Sequence, residues 1–248
     1  MENAQLVSLS RLTALNRQMA IVANNVANMN TTGFKAEGLL FEEYLETDAS
    51  AESFEFSDRD VHFVLDDRST TDFAEGGLQT TGNQTDVAIK GEGFFTIQTA
   101  QGDRYTRNGA FTIDPNGQLV THDGSAVLSD GGTIQFSPED TDITITGDGT
   151  VSGNVSGEVG RLQIVRFDNP QALNRIGDNL FDGDDAIRIE TPRVSQFAIE
   201  SSNVDPVLGI TQMIEVQRAY QELANLMGQQ NELREEAIQT LGRVRVNV

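Results

Sequence analysis

Ala23-Asn24-Asn25-Val26-Ala27-Asn28-Met29-Asn30-Thr31-Thr32-Gly33-Phe34-Lys35 is the stretch from which the fold of this 248-residue chain reads outward. Upstream of it no Gly or Pro occurs back to Ala4, and apolar residues fall at Leu9, Leu12, Leu15, Met19, Val22, Val26 and Met29. From Leu12 the steps are 3, 4, 3, 4, 3, the spacing of a heptad-like seam on one helix face. Ala20, Ala23 and Ala27 add a stripe of small residues that permits close helix approach. The pattern predicts one helix over 4–29, ended by Asn30-Thr31-Thr32-Gly33, because Asn and Gly favour the left-handed C-terminal cap. Asn is a mediocre helix former, so Asn24, Asn25, Asn28 and Asn30 together are a local cost. A frayed cap accounts for Asn30 and Gly33. It does not account for Asn24 and Asn25, whose amides both donate and accept, and a specific packing role is expected for them.

The other end mirrors this one. Asp205 is a good N-cap and Pro206 suits the first helical position. Met213, Val216, Tyr220, Leu223 and Met227 follow at steps of 3, 4, 3, 4. The register breaks near Gly228-Gln229-Gln230-Asn231 and resumes at Ala237, Leu241 and Val244, which predicts a helix from Pro206 to about Leu241. Between the helices 16 of the 23 Gly lie from Gly76 to Gly160, and Asn-Gly and Asp-Gly pairs recur there. They punctuate short β-type runs at 86–90, 94–99, 110–113, 118–121, 143–146 and 162–167, the pattern of an antiparallel β-domain. Residues 41–75 are acidic and weakly periodic, and read as a connector with one strand near 61–65. The expected class is therefore α+β: long N- and C-terminal helices pairing as a coiled-coil-like base, with a central antiparallel β-rich domain. The expected divisions are 1–35 (N-terminal helix), 36–75 (connector), 76–200 (β-domain) and 201–248 (C-terminal helix). One helix pair cannot bury two wide apolar faces. The remainder must meet other subunits or pack on the chain's own β-domain.

Charge narrows the function. Seventeen Lys and Arg against 38 Asp and Glu give −21, which argues against nucleic acid and against anionic lipid, since both are recognised by clustered cations. By segment the net charge is +1 over 1–40, −10 over 41–90, −10 over 91–203 and −2 over 204–248, so the helical ends are nearly neutral and the middle is acidic. No Cys is present, which removes disulfides, thiolate metal sites and cysteine nucleophiles. The N-terminus lacks the features of a cleaved secretory signal, and no apolar run reaches the roughly 18 residues of a membrane span.

Motifs for chemistry mostly fail. Gly91-Glu92-Gly93-Phe94-Phe95 starts like a phosphate loop but lacks the third Gly and a following helix, so a β-turn is expected. Asp182-Gly183-Asp184-Asp185 does not match a calcium loop. His62 and His122 have no partner at metal-ligand spacing. No Gly-x-Ser-x-Gly elbow occurs. The Asn-x-Ser/Thr tripeptides at Asn30, Asn83 and Asn154 are short enough to arise by chance.

The segment 23–35 resembles the Asn-Asn-x-Ala-Asn-x-Asn-Thr-Thr-Gly-Phe-Lys signature of the rod and hook family, the axial proteins of the bacterial flagellum. Asp86-Val87-Ala88-Ile89-Lys90-Gly91-Glu92-Gly93-Phe94-Phe95 and Tyr105-Thr106-Arg107-Asn108-Gly109-Ala110-Phe111 resemble its central β-domain. Gly117-Gln118-Leu119-Val120-Thr121 and Asp123-Gly124 continue that match. Ser202-Asn203-Val204-Asp205-Pro206 and Met213-Ile214-Glu215-Val216-Gln217-Arg218-Ala219-Tyr220 resemble its C-terminal helix. The three regions span essentially the whole chain in order. Length, Phe41-Glu42-Glu43-Tyr44-Leu45 and the residues after Tyr220 are more similar to a proximal-rod member than to a distal-rod or hook member, which remain the alternatives within the family.

The resemblance implies a structural, non-catalytic subunit of a periplasmic tube that transmits torque, with terminal helices inside and the β-domain outside. It implies copies of itself and other rod proteins as partners, passage through the flagellar type III export apparatus without a cleaved signal, and no cofactor or metal. The subunit-packing residues expected on this reading are Leu12, Leu15, Met19, Val22, Asn24, Asn25, Val26, Asn28, Asn30, Thr32, Gly33 and Phe34. From the C-terminal helix they are Met213, Ile214, Val216, Gln217, Arg218, Tyr220, Leu223 and Met227. Ordering of the helices only on assembly would keep free subunits from polymerising early. The competing class is a β-domain enzyme or ligand-binding module with helical arms, which would need a pocket with convergent polar groups.

Overall fold

The computed structural model describes residues 2–46 and 61–244. Two long helices bracket the chain, α1 (Glu2–Ala27) and α2 (Pro206–Val244). Pro206 opens α2 as the sequence predicts, because a first-turn residue has no intrahelical partner for the N–H that proline lacks. Helix α1 gives way to turns at 28–33, and Gly33 closes them with a φ of +68°.

The chain divides into two compact units. One comprises 1–26, 37–70 and 206–248; the other comprises 27–36 and 71–205. The chain therefore passes between them four times.

In the first unit, α1 and α2 are joined by two strands, β1 (Glu37–Glu46) and β2 (Val61–Thr71), paired as a two-stranded sheet. The sequence reading put one strand, at 61–65, in a connector. The pairing of β1 with β2 depends on a non-local partner that acidic composition does not reveal, and residues 47–60 lie outside the described residues. Val22, Asn25, Glu37, Gly38, Gln212 and Val216 are among the residues lining one groove of α1, β1 and α2. Of the seams, Val22 and Val216 are buried, and Leu12, Leu15, Met19, Val26, Met213, Tyr220, Leu223 and Met227 are half-buried; Ala14, outside the seam, is buried as well. Asn24, Asn30, Ile214, Gln217 and Arg218 are exposed, as is the stripe of Ala20, Ala23 and Ala27.

The second unit is β-rich and antiparallel. Its largest sheet has ten strands, seven of them in the order 174–177, 180–182, 102–106, 94–99, 126–129, 119–121 and 111–113. Smaller sheets join 143–145, 150–153 and 157–161, Val194–Gln196 with Val87–Ile89, and Ala198–Glu200 with Leu78–Thr80. Phe94–Thr99 is central and covered on both faces: Phe95 and Ile97 enter the main core, while Phe94 enters a second cluster with Val165, Leu173 and Phe181. That is why Phe94-Phe95-Thr96-Ile97 reads as a continuous buried run rather than an alternation.

Each predicted β-run contains a strand, but 11 further short strands lie in the segments read as turns. Most of these carry a single β-branched or aromatic residue, whereas the three-residue strands within the predicted runs carry two or three. Phe197, between the last two strands, has a φ of +59° and is 41 % exposed. A bulky side chain in the left-handed region costs about 1–3 kcal/mol, and partial burial offsets only some of it here. Phe197→Gly is expected to raise stability by about 1 kcal/mol, read as a higher urea midpoint.

Candidate functional site: a buried ionic clasp

The β-rich unit closes on three charged side chains far apart in sequence. Lys35 Nζ donates to Glu200 Oε1 at 2.7 Å, and Arg107 Nε donates to Glu200 Oε2 at 2.7 Å. Lys35 and Glu200 are each 1 % exposed and Arg107 4 %, so these are fully desolvated charges, and such charges persist only when paired and hydrogen-bonded.

The surroundings meet that requirement. Lys35 also donates to Ala74 O at 2.6 Å, and the Gly76 N–H reaches Glu200 Oε1 at 2.9 Å. Arg107 Nη1 donates to the carbonyls of Gly91 at 2.9 Å and Gly93 at 2.7 Å. Gly91 and Gly93 adopt φ of +93° and +136°. The Gly-Glu-Gly run that begins like a phosphate loop is thus a turn whose carbonyls hold a guanidinium.

Backbone and amide bonds bind the same segments together. Gly33 N–H donates to Glu200 O at 2.7 Å, and Asp72 N–H to Ala36 O at 2.8 Å. Asn203 accepts from Ala36 N–H at 2.7 Å and donates to Asp72 O at 2.8 Å. One amide therefore ties 36, 72 and 203 together, which accounts for the Asn of Ser202-Asn203-Val204. Phe34 is buried with the Arg175 guanidinium 4.4 Å above its ring, while Arg175 Nη2 donates to Lys35 O at 2.7 Å. Asn179 donates to Thr32 O at 3.1 Å.

Residues singled out in the sequence thus have identifiable places. Thr32, Gly33 and Phe34 belong to the clasp. Asn25 lies in the first unit and clamps Glu37 through both backbone groups, donating at 2.7 Å and accepting at 2.9 Å. Asn28 Oδ1 accepts from Thr31 at 3.0 Å and shapes the turn after α1. Sequence reasoning missed the roles of Lys35, Arg107 and Glu200, although each stands in or beside a quoted motif. One signal was available. Lys35 is the sole charged residue between Arg17 and Glu37, Arg107 between Arg104 and Asp114, and Glu200 between Arg193 and Asp205.

The clasp holds charge rather than moving protons. Burial alone would raise the Glu200 carboxyl, but Arg107, Lys35 and the Gly76 N–H outweigh it and hold it below the usual carboxylate range. Burial lowers the Lys35 ammonium more than Glu200 restores it, and Arg107 adds to the lowering. Because the folded Glu200 value is depressed, its stabilisation is complete above the unfolded value of 4.5 and is lost as pH falls through the folded one. For Lys35 the slope has the same sign but the shift is a cost: with its folded value below 10.5, folding disfavours the charged ammonium, and stability rises with pH as that cost is relieved in the alkaline window. Asp114, Asp140 and Asp148 are also lowered, by side-chain and backbone hydrogen bonds, Asp140 to about 2. The melting temperature is expected to fall as pH drops from 5 to 3, and more steeply in the wild type than in Glu200→Gln. Parallel acid limbs would remove Glu200 as the source of that difference.

Three family profiles match the chain in order: Flagella basal body rod protein over 6–35, Flagellar hook protein FlgE/F/G D1 domain over 88–153, and Flagellar basal body rod FlgEFG protein C-terminal over 195–240. The Flagellar basal-body rod protein FlgF of Caulobacter vibrioides is 41% identical over 98% of this chain and 100% of its own length. The chain belongs to the flagellar basal-body rod protein family. The protein of the same name from Mesorhizobium japonicum is 34% identical over 98% of this chain and 99% of its own. Flagellar basal-body rod protein FlgG of Bacillus subtilis is 30% identical over 93% of this chain and 96% of its own. In this rod-family protein the clasp takes one residue from each matched segment: Lys35 ends the first, Arg107 lies within the second and Glu200 within the third.

Proposed function

We propose that the chain is a structural subunit of the flagellar basal-body rod, of the proximal kind. It would assemble with copies of itself and other rod proteins into a tube across the periplasm that carries torque. The observation behind this is the end-to-end similarity to FlgF relatives together with a clasp built from all three family segments. Each titratable group of the clasp is bound to another of its groups, as suits a load-bearing element rather than a reaction centre. On this reading the export apparatus is a partner in transit and the chain lies outside the inner membrane. Among the described residues no helix is long and apolar enough to cross a membrane.

The terminal helices would form the inner tube, pairing through their seams with neighbouring subunits. Helix α2 leaves Val207, Leu208, Ile210, Ile214, Leu226, Leu233 and Ile238 exposed, more apolar surface than a solvated helix of a free monomer needs. The near neutrality of both ends suits crowding at an axis, where like charges would repel. Ile214→Asp changes an exposed side chain, so the monomer is expected to stay within about 0.5 kcal/mol of wild type. The same variant is expected to be absent from purified basal bodies.

The test of the whole reading is a deletion strain of the encoding bacterium. It should lack rods and motility, regain both with the wild-type gene, and show the labelled protein in the rod of isolated basal bodies. Normal rods in the deletion strain would overturn the assignment.

A further inference from the structure

Beside the clasp lies a cleft of about 270 Å³ in the β-rich unit. Lys35 and Arg107 form its charged side, and Phe73, Phe94 and Phe167 its aromatic wall, the rings meeting edge-on at 5.7 Å. An ammonium has three N–H donors and a guanidinium five. Lys35 uses two, on Ala74 O and Glu200, and Arg107 uses three, on Glu200, Gly91 O and Gly93 O. One N–H of Lys35 and both of Arg107 Nη2 therefore have no protein acceptor among the described residues. Arg107 Nη2 is not one of the fully shielded polar atoms, so it keeps contact with open space. The clasp also sums to one surplus positive charge, two cations against Glu200.

We infer that this cleft receives a carboxylate side chain from a neighbouring copy of the chain. The oxygens would take the unused N–H groups of Lys35 and Arg107, and the methylenes would lie on the phenylalanine rings. The inference rests on the rod reading for the identity of the occupant, not for the chemistry of the site. Charge supports it. Residues 41–203 carry a net −20, so a second copy presents acids, while the cleft floor holds the buried cationic surplus. Glu75 and Glu92 also line the cleft, but they are exposed, where screening weakens them relative to buried charges. Arg166 is paired with Asp168 at 2.7 Å. A hole on one face filled from a different face of the next copy is a heterologous contact, the kind that propagates helically.

The probe is 3-phenylpropionate, titrated into the full chain against its neutral amide, with the backbone amides of Gly91, Gly93 and Phe94 followed by NMR. The carboxylate is expected to give saturable shifts and to bind roughly tenfold or more tightly than the amide. Ala74→Trp, which places a large ring at the cleft, should abolish the shifts with an unchanged circular dichroism spectrum; Ala74→Leu is the smaller plug should Trp disturb the fold. In cells the plugged variant should be incorporated into basal bodies roughly tenfold less than wild type. Equal binding of acid and amide, or none, overturns the site. Carboxylate binding with normal incorporation of the plugged variant overturns the neighbouring copy as its occupant. A deletion strain that still builds rods overturns the rod reading, and leaves the titration to be judged separately.

Discussion

Glu200→Gln is expected to remove about 3–5 kcal/mol from the β-rich unit. That is a large share of the 5–15 kcal/mol typical of a folded domain. Glutamine keeps the shape and an acceptor oxygen but removes the charge, so Lys35 and Arg107, now both 4 % exposed or less, would face each other as buried cations. Lys35→Met is expected to cost clearly less, because Arg107 and Glu200 then remain as a neutral pair. The chain has no Trp, and the helices dominate circular dichroism, so unfolding is best followed by hydrogen exchange over 86–165. If Glu200→Gln and Lys35→Met shift the urea midpoint equally, the charge arithmetic of the clasp is wrong.

Gly33→Ala carries the second large effect, about 3 kcal/mol or more of destabilisation. Gly33 has a φ of +68°, and a Cβ there would lie 2.5 Å from both Arg107 C and Asn108 N. Backbone cannot swing aside as a side-chain tip can. Segment 27–36 would have to lift, carrying Lys35 away from Glu200. The control is the same substitution at Gly228, in α2, where an added Cβ meets nothing within 4 Å. There alanine should stabilise the helix by up to about 1 kcal/mol. Opposite signs for one chemical change would locate the cost of Gly33→Ala in backbone approach. A Gly33→Ala chain with wild-type stability and motility would remove Gly33 from the clasp's requirements.

Local signals in the sequence found the helices well. Seam spacing, Pro206 and Gly33 act within a few residues of themselves, and α1 and α2 lie close to where those signals put them. Strands were legible where several β-branched or aromatic residues run together, as at Phe94–Thr99, and invisible where two to five residues are held only by a distant partner, as at Leu78–Thr80 with Ala198–Glu200. The clasp was hidden for the same reason. Lys35, Arg107 and Glu200 follow no period, and each gains meaning only from the other two. Asn25 was legible as a residue with work to do, but its partner, the backbone of Glu37, was not, since the turn between them had first to fold.

The clasp also sets an order of events in folding. Lys35 and Glu200 are 165 residues apart, and Arg107 and Glu200 are 93 apart. Contacts so distant close late, because the chain entropy they remove is repaid only once nearly everything between them is in place. Until Glu200 arrives, closure would trap two cations without a counter-charge, so a chain still missing its last strand cannot adopt a nearly native β-unit. A single acidic residue at the end of the β-rich segment thus makes synthesis of the chain through Glu200 a condition for folding of that unit.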